Sequence, residues 1–131
     1  MPKRQNDEMD FQIRFYEDIL KEKDDFIEAL IAIGDLYTHR GFYEKGLEVD
    51  RKLSRLRPED PIVLYNLACS YSLVQDGDRA FGAIKLALAC GYDEFYYLEH
   101  DEDLEYLRKD QRFQEYFSRF RNERVSQTRS R

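Results

Sequence analysis

Proline and glycine, the residues that most often interrupt helices and form turns, are scarce in this sequence, with three Pro and six Gly among 131 residues. Their scarcity argues against a loop-rich, all-β architecture. Tryptophan is absent, but ten Tyr and nine Phe supply aromatic side chains for a core. A chain of this length can bury such a core within one domain. The sequence therefore predicts a single folded domain.

Long apolar runs and a cysteine framework are missing as well. No stretch of about 18 apolar residues is available to cross a membrane, and the start MPKRQNDEMD lacks the apolar segment of a secretion signal. The two cysteines, Cys69 and Cys90, have no metal-binding spacing and fit a reducing compartment. We therefore expect a cytoplasmic protein without membrane association.

Charge, in contrast, is plentiful and uneven. The net charge is −6 at pH 7, yet residues 112–131 contain six Arg and two Glu, whereas Asp93 to Glu105 contains seven carboxylates and no Lys or Arg. An acidic, solvated body that ends in a basic segment is the simplest interpretation. We expect 121–131 to be a basic, disordered tail. Nucleic acid binding is not expected, because the body is acidic and the last ten residues contain no aromatic platform.

A regular repeat runs through the middle of the chain. The segment LIAIGDLY, Leu30 to Tyr37, aligns with LYNLACSY, Leu64 to Tyr71. In both segments apolar or small residues recur at i, i+3, i+4 and i+7, which is one stripe of an α-helix. A turn at Gly41 and the prolines Pro58 and Pro61 then divide the sequence, so each unit is predicted to form two helices.

This pattern resembles the tetratricopeptide repeat family, whose unit of about 34 residues follows W-x2-L-G-x2-Y, then A-x3-F, then P. The resemblance implies an all-α fold, an α-α superhelix (solenoid) of antiparallel helix pairs with about six to seven helices. It implies a single domain over 1–118, with an N-terminal helix over 8–22, repeat one over 27–60, repeat two over 61–94 and a degenerate third repeat or cap over 95–120. The matching residues are Leu30, Ile33, Gly34, Tyr37, Gly46 and Pro58 in repeat one, and Leu64, Leu67, Ala68, Tyr71, Ala80 and Ile84 in repeat two.

Two positions bear directly on this resemblance. Gly34 lies inside a predicted helix, where glycine costs roughly 1 kcal/mol against alanine. Its equivalent in the next repeat is Ala68, so the position is expected to be a close contact of two antiparallel helices that admits nothing larger than a methyl group. Asp50 departs from the family pattern, because it replaces a large apolar residue.

No constellation of residues indicates catalysis or metal binding. His39 and His100 share no zinc-binding spacing with the cysteines, and the carboxylates of 101–103 lack the glycine-turned loop of a calcium site. Cys69 and His39 could form a nucleophilic pair, but a partly buried thiol beside a surface imidazole is the simpler interpretation. Glycine-rich phosphate-binding motifs are absent. We therefore predict a protein that is not an enzyme and has no cofactor or metal.

Binding is the function that the resemblance implies. In this family the first helices of successive repeats line a concave groove, where a peptide or a partner helix docks. One subgroup grips a C-terminal carboxylate, but here only Asn66 matches that clamp, and Asp35 would repel the carboxylate. The groove residues predicted from the helix faces are Glu28, Ile31, Asp35, Thr38, His39, Ile62, Tyr65, Asn66, Cys69, Ser72 and Leu73.

The predicted function is a non-catalytic protein–protein interaction module, an adaptor or scaffold. We expect its partner to be a protein or peptide with apolar anchors and basic residues, because the groove mixes apolar, amide and carboxylate groups. Two alternatives stay open, a small cytoplasmic chaperone for an apolar client segment and a regulatory subunit of an enzyme encoded elsewhere. A homodimer is also expected to be feasible, because repeat arrays usually need three or more units.

Overall fold

The described part of the chain folds into helices and the loops between them. The structure, a computed structural model, describes residues 3–129, with the backbone alone for 128 and 129. No β-strand occurs in that range, and none of its helices is both long and apolar enough to cross a membrane. The helices are α1 (Lys3–Glu22), α2 (Ile27–Arg40), α3 (Tyr43–Leu56), α4 (Pro61–Leu73), α5 (Gly77–Ala89), α6 (Phe95–His100), α7 (Glu105–Arg108) and α8 (Gln111–Arg129), with a 3-10 turn at Glu102–Leu104.

The helices are arranged as an α-α superhelix of antiparallel pairs, which confirms the predicted fold class. The start of α4 follows that of α2, and the start of α5 follows that of α3, by the same number of positions as the sequence repeat. Helices that follow one another from α1 to α5 pack side by side. Residues 3–129 form six long or medium helices and two short ones, α6 and α7, of six and four residues, so the predicted number of six to seven is roughly right. α1 starts at residue 3 instead of 8, so it is longer than predicted.

Local chemistry sets the ends of the repeat helices. α2 stops at Gly41, whose φ of +88° lies in the left-handed region that favours glycine. α4 begins at Pro61, which cannot donate a backbone N–H and is therefore well tolerated in a first helical turn. The carboxylate of Asp60 accepts two of the free N–H groups of that turn, and Asp76 accepts one from the first turn of α5.

The largest apolar cluster lies between the second repeat and the C-terminal helices. Ala68 of α4 and Ile84 of α5 are fully buried there against Leu98, Leu104 and Leu107. Two smaller clusters join α1, α2 and α3 to each other and to the start of α4. Helices α6 to α8 therefore cover the apolar face that the last repeat would otherwise expose.

The C-terminal segment differs from the expected disordered tail over 121–131. α8 continues through residue 129, whereas 130 and 131 lie outside the described residues. Arg121 pairs with Glu99 of α6, and its guanidinium lies 5.4 Å from the ring centre of Phe95 and 5.8 Å from that of Phe117. These ion-pair and cation–π contacts extend the helix beyond its last buried apolar residue.

Gly34 lies where α2 and α3 approach each other closely. A Cβ atom placed on Gly34 would lie 3.1 Å from Cγ1 of Val49 and 3.5 Å from Oδ1 of Asp50. Even a methyl group would require Val49 to shift slightly, so the contact is at least as tight as the sequence predicts. Ala68, at the equivalent position of α4, is fully buried.

Candidate functional site

A cleft of about 420 Å³ opens between α2, α4 and the 3-10 turn that follows α6. α2 and α4 are the first helices of the two repeats, and the repeat period places their corresponding faces on one surface. Nine of the eleven predicted groove residues line this cleft, namely Ile31, Asp35, Thr38, His39, Ile62, Tyr65, Asn66, Cys69 and Leu73.

The other two predicted groove residues do not line the cleft. Glu28 is exposed in the first turn of α2. Ser72 is only 1% exposed, and its hydroxyl accepts the backbone N–H of Leu107 at 3.1 Å. Ser72 therefore lies on the side of α4 that contacts the C-terminal helices, where it satisfies an amide at the start of α7.

The floor of the cleft contains a buried carboxylate. Asp50 of α3 is 8% exposed and accepts a hydrogen bond from the hydroxyl of Ser70 on α4. Burial raises the pKa of Asp50 to about 6; the hydrogen bond from Ser70 opposes this shift, and the negative charge of Asp35 adds to it. Because the hydroxyl of Ser70 gives this carboxylate a hydrogen-bond donor, the packed interface between α3 and α4 tolerates Asp50 in place of an apolar side chain.

Asp101 connects the cleft to the C-terminal helices. Its Oδ2 accepts hydrogen bonds from the Tyr65 hydroxyl at 2.6 Å and from the Cys69 thiol at 3.7 Å, both on α4. Its Oδ1 accepts the backbone N–H of Asp103 at 3.0 Å, which holds the first residues of the 3-10 turn. These bonds fix the turn against α4 and bring Asp103 to the cleft, where burial first and Asp101 second raise the pKa of its carboxyl group.

Aromatic rings form one wall of the cleft. The rings of Tyr65 and Tyr92 stack with centres 4.3 Å apart and planes 2° from parallel. Burial raises the pKa of Tyr65 and that of Tyr92, the latter to about 12, so both hydroxyls stay protonated at neutral pH. Tyr97 lies 6.0 Å from Tyr65 and is 58% exposed. Its exposed ring offers a surface for an apolar group or a cation.

Cys69 and His39 both line the cleft, but their surroundings do not favour nucleophilic chemistry. Burial, with the negative charges of Asp101 and Asp103, raises the pKa of the Cys69 thiol well above its ordinary value. An activated cysteine needs the opposite shift. The Nδ1 atom of His39 donates to the backbone carbonyl of Asp35 at 2.8 Å. Within residues 3–129, no group of three or more His, Cys, Asp or Glu side chains is placed to hold a metal ion.

The charge of the cleft has one sign. Five aspartates line it, and the lining residues that the structure describes include no Lys or Arg. Ile31, Ile62 and Tyr97 are 49%, 54% and 58% exposed around these carboxylates. Such a surface attracts a cationic group, repels an anion and offers contact area to apolar side chains.

Sequence reasoning missed the lining residues that come from outside the exposed faces of α2 and α4. The acidic run between Asp93 and Glu105 was the signal that could have identified two of them, Asp101 and Asp103, because this run marks where the third repeat loses its apolar stripe. The missed residues are Gly34, Asp50, Leu53, Asp60, Val63, Ser70, Tyr97, Asp101 and Asp103.

Comparison with known proteins finds a partial similarity. No protein-family model matches the chain. The chain is 32% identical over 87 residues to a chloroplastic protein of Arabidopsis thaliana. The match covers 64% of this chain and 26% of the relative, so the chain spans about a quarter of the length of the curated relative it matches.

Proposed function

We propose that the chain is a non-catalytic interaction module of the tetratricopeptide type, which binds a basic peptide or partner helix with apolar anchors in the acidic cleft. The regular spacing of the helix pairs and the close contact at Gly34 support the family assignment. A cytoplasmic location fits the two free cysteines, Cys69 and Cys90.

The observation that carries this proposal is the combination of charge and exposed apolar area in one cleft. Asp35 of α2 and Asp103 of the 3-10 turn both line it. Burial first, then Asp101, and less strongly Glu102 and Asp35, raise the pKa of Asp103, while His39 opposes this shift. A Lys or Arg side chain of the ligand relieves the repulsion among these carboxylates when it lies beside them. Ile31 and Ile62, half exposed on adjacent first helices, provide contacts for the apolar anchors.

The polarity of the cleft also indicates what it does not bind. A ligand that presents its C-terminal carboxylate would meet Asp35, Asp101 and Asp103 with no Lys or Arg among the lining residues described. We therefore expect internal segments or amidated peptides to bind more tightly than free C-terminal carboxylates.

The proposal is tested by calorimetric titration with an amphipathic peptide that carries leucine anchors and lysines, with a glutamate-for-lysine version as the control ligand. We expect the double variant Asp35→Asn/Asp103→Asn to bind the lysine peptide about tenfold more weakly. The matched control is Glu44→Gln/Glu48→Gln, which removes two exposed carboxylates of α3 outside the cleft. Equal affinity of the two double variants and wild type would contradict the proposal.

A chaperone for an apolar client segment is the second candidate, and the exposure of Ile31, Ile62 and Tyr97 favours it. The two candidates differ in their response to salt. Binding of a basic peptide weakens as salt rises, because charges attract less when they are screened, whereas binding of an uncharged apolar segment does not. Co-purification from the native host with wild type and with Asp35→Asn/Asp103→Asn identifies which class of partner depends on the carboxylates.

A further inference from the structure

Helix α1 has apolar side chains on two opposite faces. One face packs on α2, where Ile13 is 6% exposed and contacts the cluster of Ile33 and Tyr37. The opposite face presents Phe11 and Phe15, one turn apart, which are 66% and 54% exposed. Two exposed phenylalanines on one helical stripe form an apolar patch, which marks an interaction surface.

The structure leaves this second face uncovered within residues 3–129. Among the described elements, α1 packs extensively on α2 alone. Two polar bonds hold it there, from the Tyr37 hydroxyl to Glu17 at 2.8 Å and from Arg40 to Asp10 at 2.9 Å. α1 is thus fixed in orientation, and the phenylalanine face points away from the rest of the fold.

We propose that a second copy of the chain covers this face, with the two α1 helices packed antiparallel about a twofold axis beside residue 13. In this arrangement Phe11 of each copy lies against Phe15 of the other copy. Each helix has 20 residues and is therefore about 30 Å long, so the contact extends well beyond the two rings.

The charges along the same stripe favour this occupant. Residues 4, 8, 11, 15, 18 and 22 fall on one side of an ideal helix. Antiparallel pairing then places Arg4 opposite Glu22 at both ends of the interface. It also places Glu8 opposite Asp18, a like-charged pair that is offset in part by Lys21, 3.4 Å from Asp18, and by Arg4, which lies 3.9 Å from Glu8 and would then bridge Glu8 and the Glu22 of the other copy. The two ends of the stripe are therefore complementary to each other, and the phenylalanines occupy its middle.

The expected affinity follows from the size of the contact. A contact between a single pair of helices buries about 1,200 Å² of surface in total, which is near the lower end of the range for specific interfaces. We therefore expect a reversible dimer with a dissociation constant in the micromolar range, which is independent of any ligand in the acidic cleft.

Sedimentation of the full chain over a range of concentrations tests the proposal. Wild type should dimerise, and Phe11→Ser/Phe15→Ser should weaken the dimer about a hundredfold or more, because four exposed rings lose their contact. Leu86→Ser is the matched control, since Leu86 is 48% exposed on α5, away from α1. Circular dichroism confirms that all variants are folded.

A charge exchange tests the register. Arg4→Glu and Glu22→Arg should each weaken self-association, because each places like charges together at both ends. An equimolar mixture of the two variants should associate more tightly than either alone, since it restores both ion pairs. Arg4→Glu/Glu22→Arg should dimerise more tightly than Arg4→Glu, which lacks the same cation beside Glu8 but has like charges at both ends. A wild-type monomer at millimolar concentration, a dimer insensitive to Phe11→Ser/Phe15→Ser, or a mixture that associates no better than its components would overturn the proposal.

Discussion

Asp50 is an ionisable residue in a position where the repeat calls for an apolar one, and its environment makes the stability of the fold depend on pH. The carboxyl group has a pKa of about 6 in the folded chain, above the ordinary value of 3.8. Between these two values the folded state binds the proton more tightly than the unfolded state does. The contribution of Asp50 to stability is therefore most favourable below the lower value, becomes less favourable as pH rises towards 6 and stays so above it.

Replacing Asp50 with asparagine removes this dependence. Asn cannot ionise, and its amide oxygen can still accept the hydrogen bond from Ser70. We expect Asp50→Asn to raise the free energy of unfolding at pH 7.5 by up to about 3 kcal/mol, the equivalent of two pKa units, and to leave it nearly unchanged at pH 4. Urea unfolding at the two pH values measures this difference. If the unfolding free energy changed equally with pH in wild type and variant, Asp50 would not be the titrating group.

Gly34 is the residue on which the close contact of α2 and α3 depends. Gly34→Leu should destabilise the fold by roughly 1–3 kcal/mol through overpacking against Val49. The matched control is Gly82→Leu, because nothing lies within 4 Å of a Cβ at Gly82 and it is also inside a helix. Leucine should therefore be neutral or slightly stabilising there. Thermal unfolding compares the two variants, and an unchanged midpoint for Gly34→Leu would contradict the tight contact.

At the scale of the elements, the side chain of Asp101 ties the 3-10 turn to α4 through polar contacts. Asp101→Ala leaves the buried Tyr65 hydroxyl without an acceptor and frees the backbone N–H of Asp103. We expect a loss of roughly 2 kcal/mol or more in unfolding free energy, with faster hydrogen exchange in α6 and α7 than in α2 and α3. Glu102→Ala, an exposed neighbour, is the control and should change neither quantity.

The elements that the sequence predicted well are those fixed by local spacing. The four repeat helices follow from the repeat period and from Pro58, Pro61 and Gly41, because helical stripes and breakers act over a few residues. The continuation of α8 through 121–129 could not be predicted this way. At its start, Arg121 contacts Glu99 and Phe95, which belong to α6 and are distant in sequence.

At the scale of the whole molecule, the residues of the candidate site that local spacing fixes were predicted, and those that tertiary packing brings in were missed. The nine predicted lining residues follow from the exposed faces of two helices at one repeat spacing. Asp50, Asp101 and Asp103 were missed because they reach the cleft only after α3 and the C-terminal helices pack against α4. Their carboxylates make the cleft more acidic than the sequence alone predicts, which supports the proposal of a basic partner.

The most direct test of that account is a titration of the isotope-labelled chain with the lysine-bearing amphipathic peptide, followed by NMR. We predict that the peptide changes the amide chemical shifts in α2, in α4 and in the turn around 101–104. We also predict that 0.5 M salt largely abolishes these changes, because charges are already screened beyond about 10 Å at about 0.1 M salt. Shift changes confined to α3 and α5, or changes that persist unaltered in salt, would contradict an acidic cleft as the binding surface.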